Sequence, residues 1–187
     1  MASIISHLAV PISIRIGSGK RKTSNGLLLL SAVLSMLPDI DVLAFKFQIP
    51  YESQWGHRGF SHSIAFALAV AVMVMPFSRY LNSTKKWTFL VCFIATASHG
   101  LLDAMTNGGL GVNFFWPINL ERHFLPWQVI EVSPIGIDRF FTQRGWVIFR
   151  SELLYVWFPF LAMGLSVKLL KKTGLGSNDP IAGQRPG

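Results

Sequence analysis

Two imidazoles and a guanidinium lie within seven residues of this chain, in the block His57-Arg58-Gly59-Phe60-Ser61-His62-Ser63. Imidazole nitrogens are frequent ligands of divalent transition metals, and a guanidinium can bind an anionic oxygen through its planar fork. Two imidazoles at a junction between a loop and a helix can converge on one ion. We therefore interpret this block as part of a metal site, with Arg58 as a candidate for binding an anionic substrate oxygen. The alternatives are ordinary interfacial histidines and an arginine whose charge lies among lipid headgroups.

A second pair, His99 and Asp103, stands four residues apart near the end of an apolar run. On a helix this spacing puts both side chains on one face, one turn apart. An imidazole nitrogen and a carboxylate oxygen on one rigid face suit a divalent transition metal. A plain His–Asp hydrogen bond at a helix end is the alternative.

A third pair, Asp39 and Asp41, follows Pro38 at the end of another apolar run. On a helix the two carboxylates would diverge, whereas in an extended turn after the proline they would point the same way. One of them could bridge two metals. The alternative is a helix stop with solvated carboxylates outside the hydrocarbon.

These pairs share one property, which is that each stands at the end of a different apolar segment; His7 lies in a fourth such segment. Burial of so many ionisable groups without compensation would be costly, and a bound cation would offset that cost. We predict a site for one or two divalent ions, zinc first and manganese or iron as alternatives. The predicted ligands are His7, Asp39, Asp41, His57, His62, His99 and Asp103.

The composition indicates a membrane protein. Of the 187 residues 51% are apolar and only 14% are charged, against about 25% charged in soluble domains, and the mean hydropathy is +0.43. The net charge of +8 comes from short basic clusters at 15–22, 79–86 and 168–172, between apolar runs. Because no basic face with interleaved aromatic residues is present, we do not expect nucleic-acid binding.

The apolar runs predict an all-α, polytopic helix bundle with four or five membrane spans. The segments are 2–16, which is short and could instead lie in the interface, then 25–45, 61–80, 87–105 and 152–170. They form one predicted domain, 1–172, followed by a disordered tail, 173–187. The connection 110–150 is rich in aromatic residues and proline, and we expect short helices and a strand or two that cap the bundle at the membrane surface. We interpret His123, in this connection, as a surface or substrate-lid residue.

The basic clusters also predict an orientation. Eleven of the 17 Lys and Arg residues belong to the three clusters or the tail, which the positive-inside rule places in the cytoplasm. If segment 2–16 spans the membrane, all the His and Asp pairs then fall at the opposite ends of their helices. The site would therefore open to the outer face of the membrane.

At these motifs the sequence resembles the bacterial membrane-bound metal-dependent hydrolases, also described as LexA-binding, inner-membrane-associated hydrolases. The matching motifs are Ser6-His7, Leu37-Pro38-Asp39-Ile40-Asp41, His57-Arg58-Gly59-Phe60-Ser61-His62-Ser63, Ser98-His99-Gly100-Leu101-Leu102-Asp103 and Glu131-Val132-Ser133-Pro134-Ile135-Gly136. This resemblance implies an inner-membrane protein with hydrolase-type metal ligands. The His99-x-x-x-Asp103 pair is also similar to that of zinc-dependent phospholipases C and nucleases, at the level of a motif only.

Three functions are open at this point. The first is metal-dependent hydrolysis of a phosphoester or lipid-linked substrate by a metal-activated water, with Arg58 and Asp41 as catalytic residues. The second is a non-enzymatic inner-membrane anchor that binds a stress-response repressor and has a structural metal. The third is a metal or proton transporter, which would need ionisable residues near the middle of the bilayer rather than at helix ends.

Overall fold

The computed structural model describes residues 1–133 and 142–173. In this part of the chain the regular elements are all helical, as predicted, and no strand is formed. The α-helices are α1 (Ile4–His7), α2 (Ala9–Ser18), α3 (Asn25–Met36), α4 (Ile64–Val74), α5 (Lys85–Ala104), α6 (Gln143–Glu152) and α7 (Phe158–Lys172). Helical turns of 3-10 type cover Leu37–Phe47, Phe60–His62 and Met75–Arg79, and a π-helical turn, Leu153–Trp157, joins α6 to α7.

Three continuous helical stretches are long and apolar enough to cross a membrane: Asn25–Phe47, Lys85–Ala104 and Gln143–Lys172. Two shorter apolar stretches, Ile4–Ser18 and Ile64–Arg79, accompany them. The five predicted segments therefore correspond to five helical stretches. The last stretch begins at Gln143, earlier than the predicted start at 152, because α6 continues through the π-helical turn into α7.

The bundle is held together by apolar packing on the inside and leaves many apolar side chains facing outward. Helices α3, α4 and α5 share a core that contains Leu27, Leu34, Val70, Val91 and Cys92. Helix α2 packs closely on α7, where a Cβ atom on Gly164 would come within 2.7 Å of the Ser13 carbonyl oxygen. Small residues at such crossings let two membrane helices approach one another.

The three basic clusters meet at one end of the bundle. The Lys171 ammonium donates to the Gly17 carbonyl over 2.9 Å, which joins the end of α7 to the end of α2. The Trp87 indole, at the start of α5, donates to the Thr23 hydroxyl over 3.0 Å, and Lys22 lies 4.0 Å from the centre of the Trp87 ring. The His and Asp residues of interest lie at the opposite ends of these helices.

The predicted connection 110–150 includes the start of α6 at Gln143, and no helix forms in its described residues before α6. Residues 110–133 consist of turns and two isolated β-bridges, Thr106 with Ile130 and Val112 with His123. Gly111, Pro117 and Pro126 interrupt this stretch, and a proline within a helix removes a backbone donor and clashes with the preceding turn. The rest of the connection up to 141, including part of the Glu131-to-Gly136 motif, lies outside the described residues, and so does the predicted tail after Thr173.

Candidate metal centre

The elements that carry the predicted site residues converge at one end of the bundle. His7 closes α1, and the 3-10 turn after α3 holds Asp39 and Asp41. The loop before α4 supplies His57, Arg58 and His62, and the last turns of α5 supply His99 and Asp103. All eight side chains belong to residues that are at most 9% exposed. The structure thus brings together residues that are distant in the sequence.

Four of these residues form what we call the inner set: Asp39, His62, His99 and Asp103. One ligand atom from each lies within 4.8 Å of those of the other three. The His99 Nε2 atom is 3.2 Å from Asp39 Oδ1, and the His62 Nε2 atom is 3.6 Å from Asp103 Oδ2. The spacing of His99 and Asp103 on α5 therefore has the predicted consequence, since both side chains face the same point.

Several polar atoms of the inner set have no hydrogen-bond partner among the residues that the structure describes. They are the Nε2 atoms of His62 and His99 and both carboxylate oxygens of Asp39. Burial of polar groups without partners is costly. Two imidazole nitrogens and carboxylate oxygens aimed at a shared point form a donor set that a divalent cation would satisfy. The residues present therefore fit a metal ion.

The Nδ1 atoms of His62 and His99, on the side of each ring away from the inner set, contact oxygen atoms of other residues. The His99 Nδ1 lies 2.7 Å from the Ser35 carbonyl oxygen in α3. A carbonyl oxygen only accepts, so Nδ1 carries the proton and Nε2 keeps its lone pair. The His62 Nδ1 lies 3.1 Å from an Asp41 oxygen in the same manner. Metal-ligating histidines are commonly oriented by such partners.

Asp41 is the centre of a second group, with His57 and His62. Its carboxylate lies 2.6 Å from His57 Nδ1 and accepts hydrogen bonds from the Ser61 hydroxyl at 2.6 Å and the Arg58 amide at 3.1 Å. Asp39 and Asp41 diverge because the turn after Pro38 is a 3-10 helix and not an extended turn. They reach opposite ring nitrogens of His62, so Asp41 supports the inner set from outside.

Arg58 is buried and not among headgroups. Its side chain is fully enclosed, and Nε donates to Asp103 Oδ2 over 3.1 Å. The other guanidinium nitrogens donate to the Gly108 carbonyl and the Thr106 hydroxyl. The residue also adopts a left-handed backbone with φ of 61°, which non-glycine residues rarely do. Arg58 therefore fixes Asp103 and ties the loop to the end of α5.

His7 lies against the inner set without belonging to it. Its ring stacks on that of His99, with 3.7 Å between the ring centroids, and its Nε2 is 3.9 Å from Asp103 Oδ1. Both of its ring nitrogens are buried without a hydrogen-bond partner in the described part of the chain. His7 is thus a neighbour of the inner set. Its ring would have to move before it could bind the same ion.

The N-terminal residues make two contacts near Asp103 that were not predicted from the sequence. The Ala2 amide donates to Asp103 Oδ1 over 2.7 Å. The next residue, Ser3, is held in turn by Glu152 of α6, which accepts from the Ser3 hydroxyl over 2.6 Å. Glu152 is a lone carboxylate at the start of the apolar segment 152–170. Because buried acidic residues in membrane helices need partners, its position in the sequence could have indicated such a contact.

His62 precedes α4, and its protonation reflects the carboxylates around it. Burial lowers its pKa, but the Asp103 and Asp41 carboxylates more than offset this effect and raise the pKa to about 9. Metal ligands must be unprotonated, so a divalent ion at this site would compete with protons for the His62 Nε2 atom.

Gly100 allows α5 to approach the His62 segment, and an alanine there should disturb the site. A Cβ atom at this position would lie 2.7 Å from the His62 carbonyl oxygen. We expect Gly100→Ala to lower the free energy of unfolding by about 1–3 kcal/mol, the usual range for overpacking. Thermal unfolding in detergent would measure the change.

Gly26→Ala is the matched control for that experiment. Gly26 is also helical, but its Cβ atom would have no neighbour closer than 3.8 Å, and alanine has the higher helix propensity. Equal unfolding temperatures of the two variants would contradict the close approach of α5 to His62.

His123 lies apart from the metal-ligand groups. It pairs with Val112 through backbone hydrogen bonds and contacts the Phe115 ring at 5.6 Å between centroids. Nothing in these contacts tests the predicted lid role, which stays a prediction.

A bundle of apolar helices, three of which are long enough to cross a membrane, is typical of a helical integral membrane protein. The comparisons with known proteins agree. A sequence model of the family described as YdjM inner membrane protein matches residues 1–175. The chain is also 42% identical to the inner membrane protein YbcI of Escherichia coli (strain K12) over 169 residues, which cover 88% of this chain and 96% of that protein. The chain belongs to the YdjM family of inner membrane proteins. No solved structure matches it.

This family assignment confirms part of the resemblance found in the sequence. An inner-membrane protein was expected, and the family is one of inner membrane proteins. The hydrolase activity and the binding of LexA that the resemblance implied are not part of these descriptions, and they remain proposals.

Proposed function

We propose that this protein is a membrane-bound metal-dependent hydrolase of a phosphoester or lipid-linked substrate. The observation that carries the proposal is the inner set, where unpartnered imidazole and carboxylate atoms face one point inside a membrane protein. A structural His–Asp network would give these atoms hydrogen-bond partners, whereas here close neighbours such as His99 Nε2 and Asp39 Oδ1, 3.2 Å apart, lack hydrogen-bond geometry. The nitrogen and oxygen donors favour zinc, with manganese or iron as alternatives.

The contacts support one ion rather than two. The inner set has free donor atoms, whereas Asp41 and its two histidines already satisfy one another through hydrogen bonds. A divalent ion held by Asp39, His62, His99 and Asp103 would supply a Lewis acid that activates water and polarises a phosphoryl oxygen. His7 is the residue of the predicted ligand set best placed to join these four.

The protein's own residues would keep the donors in place. Asp41 holds the His62 ring through Nδ1, and Arg58 holds the Asp103 carboxylate through Nε. These contacts support positioning roles for Asp41 and Arg58. The direct catalytic roles first predicted for them would require each to release existing hydrogen bonds when substrate binds.

We place the centre at the outer side of the inner membrane. The basic clusters meet at the end of the bundle opposite to the His and Asp residues, and basic residues mark the cytoplasmic side. Labelling of single cysteines in a Cys92→Ser background, at Glu121 and at Lys86, would test this orientation in intact spheroplasts. An impermeant maleimide should label position 121 and spare position 86.

Hydrolysis of bis(p-nitrophenyl) phosphate by the purified protein tests the proposal. We expect release of p-nitrophenolate that stops on removal of metal by a chelator and returns when zinc is added. Full zinc content without hydrolysis would contradict an enzyme and favour the alternative, a membrane anchor for a stress-response regulator with a structural metal.

Replacement of Asp41 by asparagine should weaken metal binding without removing a ligand of the inner set. The asparagine side chain has a similar shape but could not accept from His57, His62, Ser61 and the Arg58 amide as a carboxylate does. Loss of such a partner typically lowers metal affinity about 10- to 100-fold. Zinc affinity measured by competition with a fluorescent chelator would show the change.

Glu121→Gln is the matched control for Asp41→Asn, since Glu121 is exposed in the connection. Its zinc affinity should equal that of the unchanged protein. An Asp41→Asn variant with the same affinity would mean that Asp41 does not orient a metal ligand.

A further inference from the structure

An apolar groove runs along the outside of the bundle and shares one lining residue, His62, with the candidate metal centre. It lies between α4, α5, α7 and the connection after α5, and its cavity volume is about 480 Å³. The walls include Ile64, Ile94, Leu101, Phe114 and Phe160. Among its described lining residues only His62 and Ser98 are polar.

The groove is continuous with the surface that faces the bilayer. Ile94 and Leu101 lie on α5, one of the candidate spans, and are 38% and 43% exposed. Seven residues separate them, which corresponds to roughly 10 Å along the helix axis. A molecule in the groove would therefore lie along the direction of the span with its length against hydrocarbon.

The groove touches the metal centre at one residue. His62 is a member of the inner set and also part of the groove wall, and Ser98 directly precedes His99. A molecule that fills the groove would thus contact the segment that carries one ligand of the inner set, His62, whose side chain is itself enclosed. The described wall contains no Lys, Arg, Asp or Glu that could bind a charged soluble molecule along its length.

We propose that this groove binds an acyl chain of a membrane phospholipid and places its phosphate-bearing headgroup at the metal centre. The inference rests on the proposed hydrolase and names its substrate class. Apolar lining along the groove suits a hydrocarbon chain, and the neighbouring donor set, which shares His62 with the groove, suits a cation that would bind a phosphoryl oxygen. A water-soluble phosphoester would leave the groove unused.

Photo-labelling of the full-length protein tests this inference independently of hydrolysis. The protein is reconstituted in vesicles that contain a small fraction of phosphatidylglycerol with a diazirine in one acyl chain, and metal is removed so that no turnover occurs. After illumination, mass spectrometry should locate the label mainly on groove residues such as Ile94, Leu101 and Phe114. Label spread evenly over outward residues, such as Leu29, Met73 and Leu169, would overturn the groove as a specific site.

A pair of tryptophan variants sharpens the test. Ala97→Trp would fill the groove from α5, and we expect at least a several-fold loss of label on Ile94 and Leu101. Ala69→Trp adds the same ring on α4 at an exposed position outside the groove lining, and should leave the labelling unchanged. Equal labelling of the two folded variants would overturn the proposal.

The outcomes separate this inference from the proposed hydrolase. Hydrolysis of bis(p-nitrophenyl) phosphate together with evenly spread label would retain the enzyme and reject the phospholipid groove. Label confined to the groove without hydrolysis of either bis(p-nitrophenyl) phosphate or phosphatidylglycerol would retain the lipid site and reject the enzyme.

Discussion

Replacement of His99 by alanine should abolish stoichiometric zinc binding. His99 Nε2 is one of four donors of the inner set and has no hydrogen-bond partner among the described residues. Removal of a residue that hydrogen-bonds a metal ligand typically lowers metal affinity roughly 10- to 100-fold. Loss of the ligand His99 itself should lower zinc affinity by more than that. Elemental analysis of protein purified without chelator would measure the zinc content, and hydrolysis should fall with it.

His123→Ala is the matched control for His99→Ala, because His123 lies outside both groups of candidate ligands. The control should retain the full zinc content and the melting temperature of the unchanged protein. Equal zinc content in the two variants would show that His99 does not bind the ion.

Replacement of Arg58 by methionine should cause a large loss of stability. Arg58 and Asp103 are both fully buried, and the guanidinium donates to the carboxylate over 3.1 Å. Removal of one member of a buried ion pair leaves an uncompensated charge and costs about 3–5 kcal/mol, which thermal unfolding in detergent would detect. Lysine at this position would keep the charge but could not reach Asp103, Thr106 and Gly108 together, so the stability of Arg58→Lys should lie between those of the methionine variant and the unchanged protein.

Controls for Arg58→Met come from an exposed arginine and from a double variant. Arg144→Met, on the exposed side of α6, should unfold like the unchanged protein. In an Asp103→Asn background the cost of Arg58→Met should shrink, because the buried negative charge is gone. An equal cost in both backgrounds would show that the two residues are not energetically coupled.

Much of the site could be predicted because its signal is local. The four-residue spacing of His99 and Asp103 determines their common face once α5 forms. The position of each pair at the end of an apolar run predicted that the pairs would meet, since antiparallel helices of similar length bring alternate ends together. The exposed apolar side chains, such as Leu29 and Met73, agree with the membrane class predicted from composition.

Other parts of the site depend on tertiary contacts that no spacing reveals. The different contacts of Asp39 and Asp41 follow from the 3-10 turn after Pro38, which turns the two carboxylates to opposite sides of His62. The burial of Arg58 requires acceptors from Thr106 and Gly108, about fifty residues away. Glu152 meets Ser3 across almost the whole chain, so its role could not be predicted from its neighbours.

The most direct test of a metal centre is an anomalous difference map from crystals of the full chain grown with zinc, recorded at the zinc absorption edge. We expect one peak about 2.0–2.2 Å from His62 Nε2, His99 Nε2 and the nearest oxygens of Asp39 and Asp103. A map without a peak there, with these four side chains hydrogen-bonded to one another or to water, would contradict the metal centre and the hydrolase that depends on it.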